Sequence, residues 1–159
     1  MRSTLTVRII AMICALIAAP TVFSFLPWGL LAIQGIIRAH RETQLPTADS
    51  YYVHDKHLEM LCHLFEFLLW ICALVAEWGF IAIAANVLRY RWKLVVWGCA
   101  LFAGFGMALY NYPNIPPPEL AATFNSSGLW LVILNPAIVG VCSLLALFFT
   151  IRTKVPQPA

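Results

Sequence analysis

The sequence predicts an all-α fold, an integral membrane four-helix bundle formed as one domain over residues 1–159, with both termini cytoplasmic. Three observations lead there. The chain is 62% hydrophobic and only 11% charged, whereas soluble domains average about 45–50% apolar and about 25% charged. Its apolar residues gather in four runs, near residues 8–37, 60–88, 94–110 and 129–151. Each reaches or approaches the roughly 20 residues that cross a hydrocarbon core of about 30 Å. Its ten Lys and Arg lie at the ends of these runs, where they act as topology signals.

Orientation follows from those cations. One side collects Arg2, Arg8, Arg89, Arg91, Lys93, Arg152 and Lys154, and the other only Arg38, Arg41 and Lys56. The richer side is read as cytoplasmic. A net charge of +3 spread this way is no nucleic-acid footprint, so the expected partner is the lipid bilayer. Short loops and this asymmetry fit a bacterial inner (plasma) membrane. An organellar membrane is the alternative, because the first eleven residues carry two arginines and no acids.

The first run opens like a signal peptide, with Ala18-Ala19-Pro20 as a small-residue site. Its apolar character continues well past the 7–15 residues of a signal core, so a retained helix is expected. Pro20 and Pro27, with Thr21 and Ser24 between them, predict a kink whose freed carbonyls need new partners. A hydrophilic loop is expected from Arg38 to about Lys56, ahead of the second run. The third run carries Gly98, Gly104 and Gly106, which let neighbouring helices approach closely. The loop from Asn111 to Gly128 holds three consecutive prolines and a sequon at Asn125, just before the fourth run.

Five cysteines, Cys14, Cys62, Cys72, Cys99 and Cys142, are odd in number and form no CxxC pair. Neither a disulfide framework nor a dithiol redox motif is expected. Glycine-rich phosphate loops, a G-x-S-x-G elbow and paired Cys/His signatures are also missing, so catalysis is not the favoured reading.

The informative pattern lies in the second run. At about 100° per residue, Glu59, Glu66 and Glu77 fall on one helical face, with Cys62 and His63 close to that line. Ionisable groups inside a bilayer are costly and normally face a bundle interior, a cavity or a partner. Asn135, beside Pro136 in the fourth run, is expected near the depth of Glu66, and Thr21 and Ser24 near that of Glu77. Glu77 is expected to donate a hydrogen bond to a hydroxyl or to a carbonyl freed by Pro20 or Pro27. Beyond Glu77 the same face becomes Phe80, Ile81, Ala84 and Leu88, so the stripe reads as a polar entrance open to one side only.

Three functions fit. The leading one is a non-catalytic accessory or structural subunit of a larger membrane complex, joined to other subunits or to copies of itself. The polar stripe of Glu59, Cys62, His63, Glu66, Glu77 and Asn135 would then serve as an inter-subunit or proton/ion contact. The second is a proton- or cation-coupled carrier or channel using Glu66 and Glu77. The third is an outer-face metal-binding site or small membrane enzyme at Glu59, His63 and Glu66. No cofactor is expected under the first two readings. Under the third, imidazole with carboxylates suits zinc, iron or manganese.

Overall fold

The computed structural model describes residues 2–24, 26–44, 50–111 and 133–152, and their regular structure is helical. Helices run over Arg2–Ser24 (α1), Leu26–Thr43 (α2), Ser50–Ala84 (α3), Tyr90–Asn111 (α4) and Asn135–Arg152 (α5). Four carry windows long and apolar enough to cross a membrane: Leu5–Ser24, Tyr52–Ala84, Tyr90–Asn111 and Asn135–Arg152. The proline-rich loop, the Asn125 sequon and the first residues of the fourth run lie outside the described residues.

The first apolar run is covered by α1 and α2, with Phe25 between them outside the described residues. One boundary differs from expectation. The second run becomes a 35-residue helix that begins at Ser50, so most of the anticipated hydrophilic loop is helical. At 1.5 Å per residue α3 is about 52 Å long, well beyond a hydrocarbon core.

The end of α3 is closed by its own backbone. Asn86 takes the left-handed conformation (φ 59°). Its N–H donates to the Ile83 carbonyl at 2.9 Å, and the Val87 N–H donates to the Ala82 carbonyl at 3.1 Å. This pair of bonds is a Schellman cap with asparagine in the usual glycine position. Arg8 of α1 adds a side-chain bond from Nε to the Ala84 carbonyl at 2.8 Å.

The described residues fall into two compact units, Met1–Phe23 with Cys72–Ala159, and Ser24–Ile71. In the first, buried positions recur at steps of three and four. They are Val7, Ala11, Cys14, Ala18 and Val22 on α1, and Ala73, Ala76, Phe80 and Ile83 on α3. Asn135, Val139, Ser143, Ala146 and Thr150 on α5 keep the same rhythm. Steps of three and four keep one face of each helix turned toward its neighbours. Most of these residues are small, while Leu16, Phe23, Trp78 and Leu109 stand more than 70% exposed. Small inside and large apolar outside reverses the soluble pattern and fits a membrane protein, whose helices associate by close packing.

The tightest approach is between α4 and α5. A Cβ built on Gly104 would lie 2.6 Å from the Pro136 carbonyl oxygen and 2.8 Å from the Gly140 nitrogen. Neither is a group that can rotate away. Between α3 and α4, Gly79 accommodates the Val96 side chain, and Phe80 packs on Trp97 with ring centroids 5.4 Å apart. Four cysteines without any sequence pairing also meet here as free thiols, Cys14 beside Cys142 and Cys72 beside Cys99.

Asn135 at the start of α5 fastens α1. Its Nδ2 donates to the Ile17 carbonyl and to Thr21 Oγ1, each at 2.6 Å. These acceptors lie on either side of Pro20, so the start of α5 is tied to the proline-containing turn of α1.

Gly104 and Gly98 provide a paired test of close packing. Gly104→Ala forces backbone against backbone and should destabilise the solubilised protein by about 1–3 kcal/mol, the usual cost of overpacking. Nothing lies within 4 Å of a Cβ at Gly98, so Gly98→Ala should stay within about 0.5 kcal/mol of wild type. Denaturant titration in mild detergent, followed by circular dichroism, reads both.

Candidate functional site

The second unit, Ser24–Ile71, holds α2 and the first part of α3. Gly29, Ala32 and Ala39 are buried on one face of α2. Contacts to α3 run in opposite senses along the two helices. A Cβ on Gly29 would strike the Trp70 ring, and one on Gly35 would strike the His63 imidazole, while Glu42 pairs with Lys56. The result is an antiparallel helical hairpin. The upper part of the polar stripe is therefore covered by a small-residue face of α2.

Within this hairpin the structure brings together Glu59, His63 and Glu66. His63 Nδ1 stands 2.9 Å from Glu66 Oε2, and Nε2 stands 3.9 Å from Glu59 Oε1. The first separation is a hydrogen bond; the second is too long for one and suits a bridging water. Spacings of i, i+3 and i, i+4 on one helix create this arrangement, as the sequence implied.

The sequence reading did not anticipate how far the chain of polar groups extends. Lys56 Nζ donates to Glu59 Oε2 at 2.7 Å and contacts Glu42 Oε2 of α2 at 2.8 Å. Tyr52 Oη donates to the same Glu42 oxygen at 3.2 Å. Arg38 Nε donates to Glu42 Oε1 at 2.9 Å. A run of charged groups thus leads from Glu66, 26% exposed at its side chain, to Arg38, 78% exposed. The signal that was available is the small-residue series Gly29, Ala32, Gly35 and Ala39, which marks α2 as a packing helix rather than the tail of a span.

Glu42 is the electrostatic hub. Hydrogen bonds from Lys56 first and Arg38 second pull its carboxyl down to about 2 from the ordinary 4.5, because both stabilise the anion. His63 acts differently. As an imidazolium it donates from both nitrogens; as a neutral ring donating Nδ1–H to Glu66, it turns a lone pair at Nε2 toward Glu59. The ring can therefore take a proton on one side and release one on the other.

The remaining stripe residues have other surroundings. Cys62 is an exposed free thiol, and His54 and His57 are exposed. Among the described residues no group of three His, Cys, Asp or Glu side chains is placed to hold a metal ion. Glu77 and Asn135 belong to the first unit. Glu77 is 9% exposed, and its Oε2 has no hydrogen-bond partner among the described residues. Glu77 was expected to donate to a hydroxyl or to a carbonyl freed by Pro20 or Pro27; near Pro20, the Thr21 hydroxyl and the Ile17 carbonyl bond to Asn135. The amide of Asn135 reaches both acceptors at once, so it takes the place foreseen for the acid.

The hub makes acid sensitivity a test. A carboxyl held low contributes stability that is complete above its ordinary value and is lost as pH falls toward the lowered one. Across the window from about 4.5 down to about 2, the tie between α2 and α3 should weaken. Thermal midpoints should fall through that range, and Glu42→Gln should fall less steeply because it has already lost the tie. Compared with protein families, curated proteins and solved structures, the chain matches none.

Proposed function

We propose that this protein is a non-catalytic subunit of a larger membrane complex, and that its hairpin exchanges protons at one face of that assembly. Glu59, His63 and Glu66 are the exchanging groups. The observation that carries the reading is the imidazole of His63, held between two carboxylates and joined through Lys56 and Glu42 to an exposed arginine. A positioned acid–imidazole–acid series is suited to passing protons. The Lys/Arg distribution supports placing both termini on the cytoplasmic side and the hairpin's charged end outside.

The same series argues for a partner. After Glu66, the buried positions of α3 are Leu69, Ala73, Ala76, Glu77, Gly79, Phe80 and Ile83, with Glu77 the one acid among them. A route that is polar at one end and apolar beyond needs another subunit, or another copy, to continue it. A self-sufficient carrier using Glu66 and Glu77 is the second reading, and buried Glu77 is the observation that favours it. Zinc, iron or manganese at Glu59, His63 and Glu66 draws no support from the described geometry.

Gentle solubilisation should give a particle heavier than the 17.8 kDa chain with its detergent; a stable monomer purifying alone would overturn the subunit reading. Proton uptake by that particle in vesicles should fall at least about tenfold in Glu66→Gln and in His63→Ala, since positioned proton-transfer groups contribute roughly 10²–10⁴-fold. Uptake unchanged in Glu66→Gln would sink the relay. Uptake by the chain alone, lost in Glu77→Gln, would favour the carrier.

A further inference from the structure

Helix α2 presents two chemistries along its exposed side. Leu26, Leu30, Ile33 and Ile37 stand exposed, at spacings of three and four that stack them into an apolar strip. Toward the end of the helix, Gln34, Ile37, Arg38, Arg41 and Glu42 line a groove of about 390 Å³, open to its surroundings. Ile37 belongs to both, so the strip runs directly into the groove.

The charges in the groove are unevenly satisfied. Glu42 is shared by Arg38 and Lys56, so its anion is already matched. Arg41 is exposed and has no ion-pair partner among the described residues. Its guanidinium offers five N–H donors in a planar fork, a geometry that matches phosphate. Gln34 adds amide donors one to two turns away on the same side. A ligand that satisfies this face needs an anionic phosphate with an apolar chain attached.

We propose that the α2 groove binds the headgroup phosphate of an anionic phospholipid. Arg41 and Arg38 hold the phosphate, Gln34 contacts its oxygens or the glycerol, and one acyl chain lies along Ile37, Ile33, Leu30 and Leu26. The apolar strip distinguishes this ligand from a free anion, which would use the arginines alone. The site shares Arg38 and Glu42 with the chain that leads to Glu66, whereas Arg41 stands outside that chain, so Arg41→Gln tests the lipid without touching it.

Native mass spectrometry of the purified protein, titrated separately with phosphatidylglycerol and phosphatidylcholine, tests the assignment, with inorganic phosphate as a competitor. The expected result is preferential retention of phosphatidylglycerol, reduced about fivefold in Arg41→Gln, the usual effect of one basic residue at an anionic membrane surface. Arg41→Lys should fall between the two, since it keeps the charge and loses the fork. Circular dichroism checks that both exposed-site variants keep their helices, and Arg38→Gln gives a second reading of the same groove. Equal retention of the two lipids, or retention unchanged in both Arg41→Gln and Arg38→Gln, overturns the proposal. Displacement of phosphatidylglycerol by millimolar phosphate would also overturn it, by showing an anion site that ignores the chain.

Discussion

Backbone proximity is the constraint from which the rest of this structure follows. In hydrocarbon an apolar side chain gains little by leaving lipid for another apolar side chain, so attraction between helices grows with how nearly their main chains can meet. Gly104 against Pro136 and Gly140 is the closest such meeting in the first unit. Ala11, Ala18, Ala76, Ala100, Ala103 and Ala146 extend the same principle along the seams. Bulky side chains appear inside only where they fill a defined gap, as Phe80 and Trp97 do for each other.

The hairpin uses that principle for a polar purpose. Gly35 leaves room for an imidazole rather than for another helix. By lying against a residue without a side chain, His63 is restrained between Glu59 and Glu66, where the two carboxylates define its reach. Charged groups between two packed helices are tolerated because each has a neighbour of opposite or exchangeable charge. The tie through Lys56 to Glu42 serves both packing and electrostatics, fixing the register of α2 on α3 while shielding the outer carboxylates.

Much of this was legible in the sequence. Four apolar runs announced the long helices, and the positions of Glu59, His63 and Glu66 at intervals of four and three announced their shared face. Two things were not. The helical character of residues 50–59 was masked by their polarity, which the Lys56–Glu42 pair across the two helices and the i, i+3 pair of Lys56 with Glu59 accommodate. The bond from Asn135 to α1 depends on tertiary contact between residues 118 positions apart, and no local pattern carries it. The seams themselves were hard to see for a related reason. In helices apolar all round, buried and exposed positions differ in size and not in polarity, so a search for amphipathic faces finds little, while the alternation of Ala, Cys, Ser and Gly at steps of four and three marks the inner side.

That bond from Asn135 also has a meaning in time. α1 is made before α5, so the amide that reaches the Ile17 carbonyl and the Thr21 hydroxyl is supplied only after the helix that carries them already exists. The contact between these two helices therefore forms late, and it is the later helix that fixes the earlier one.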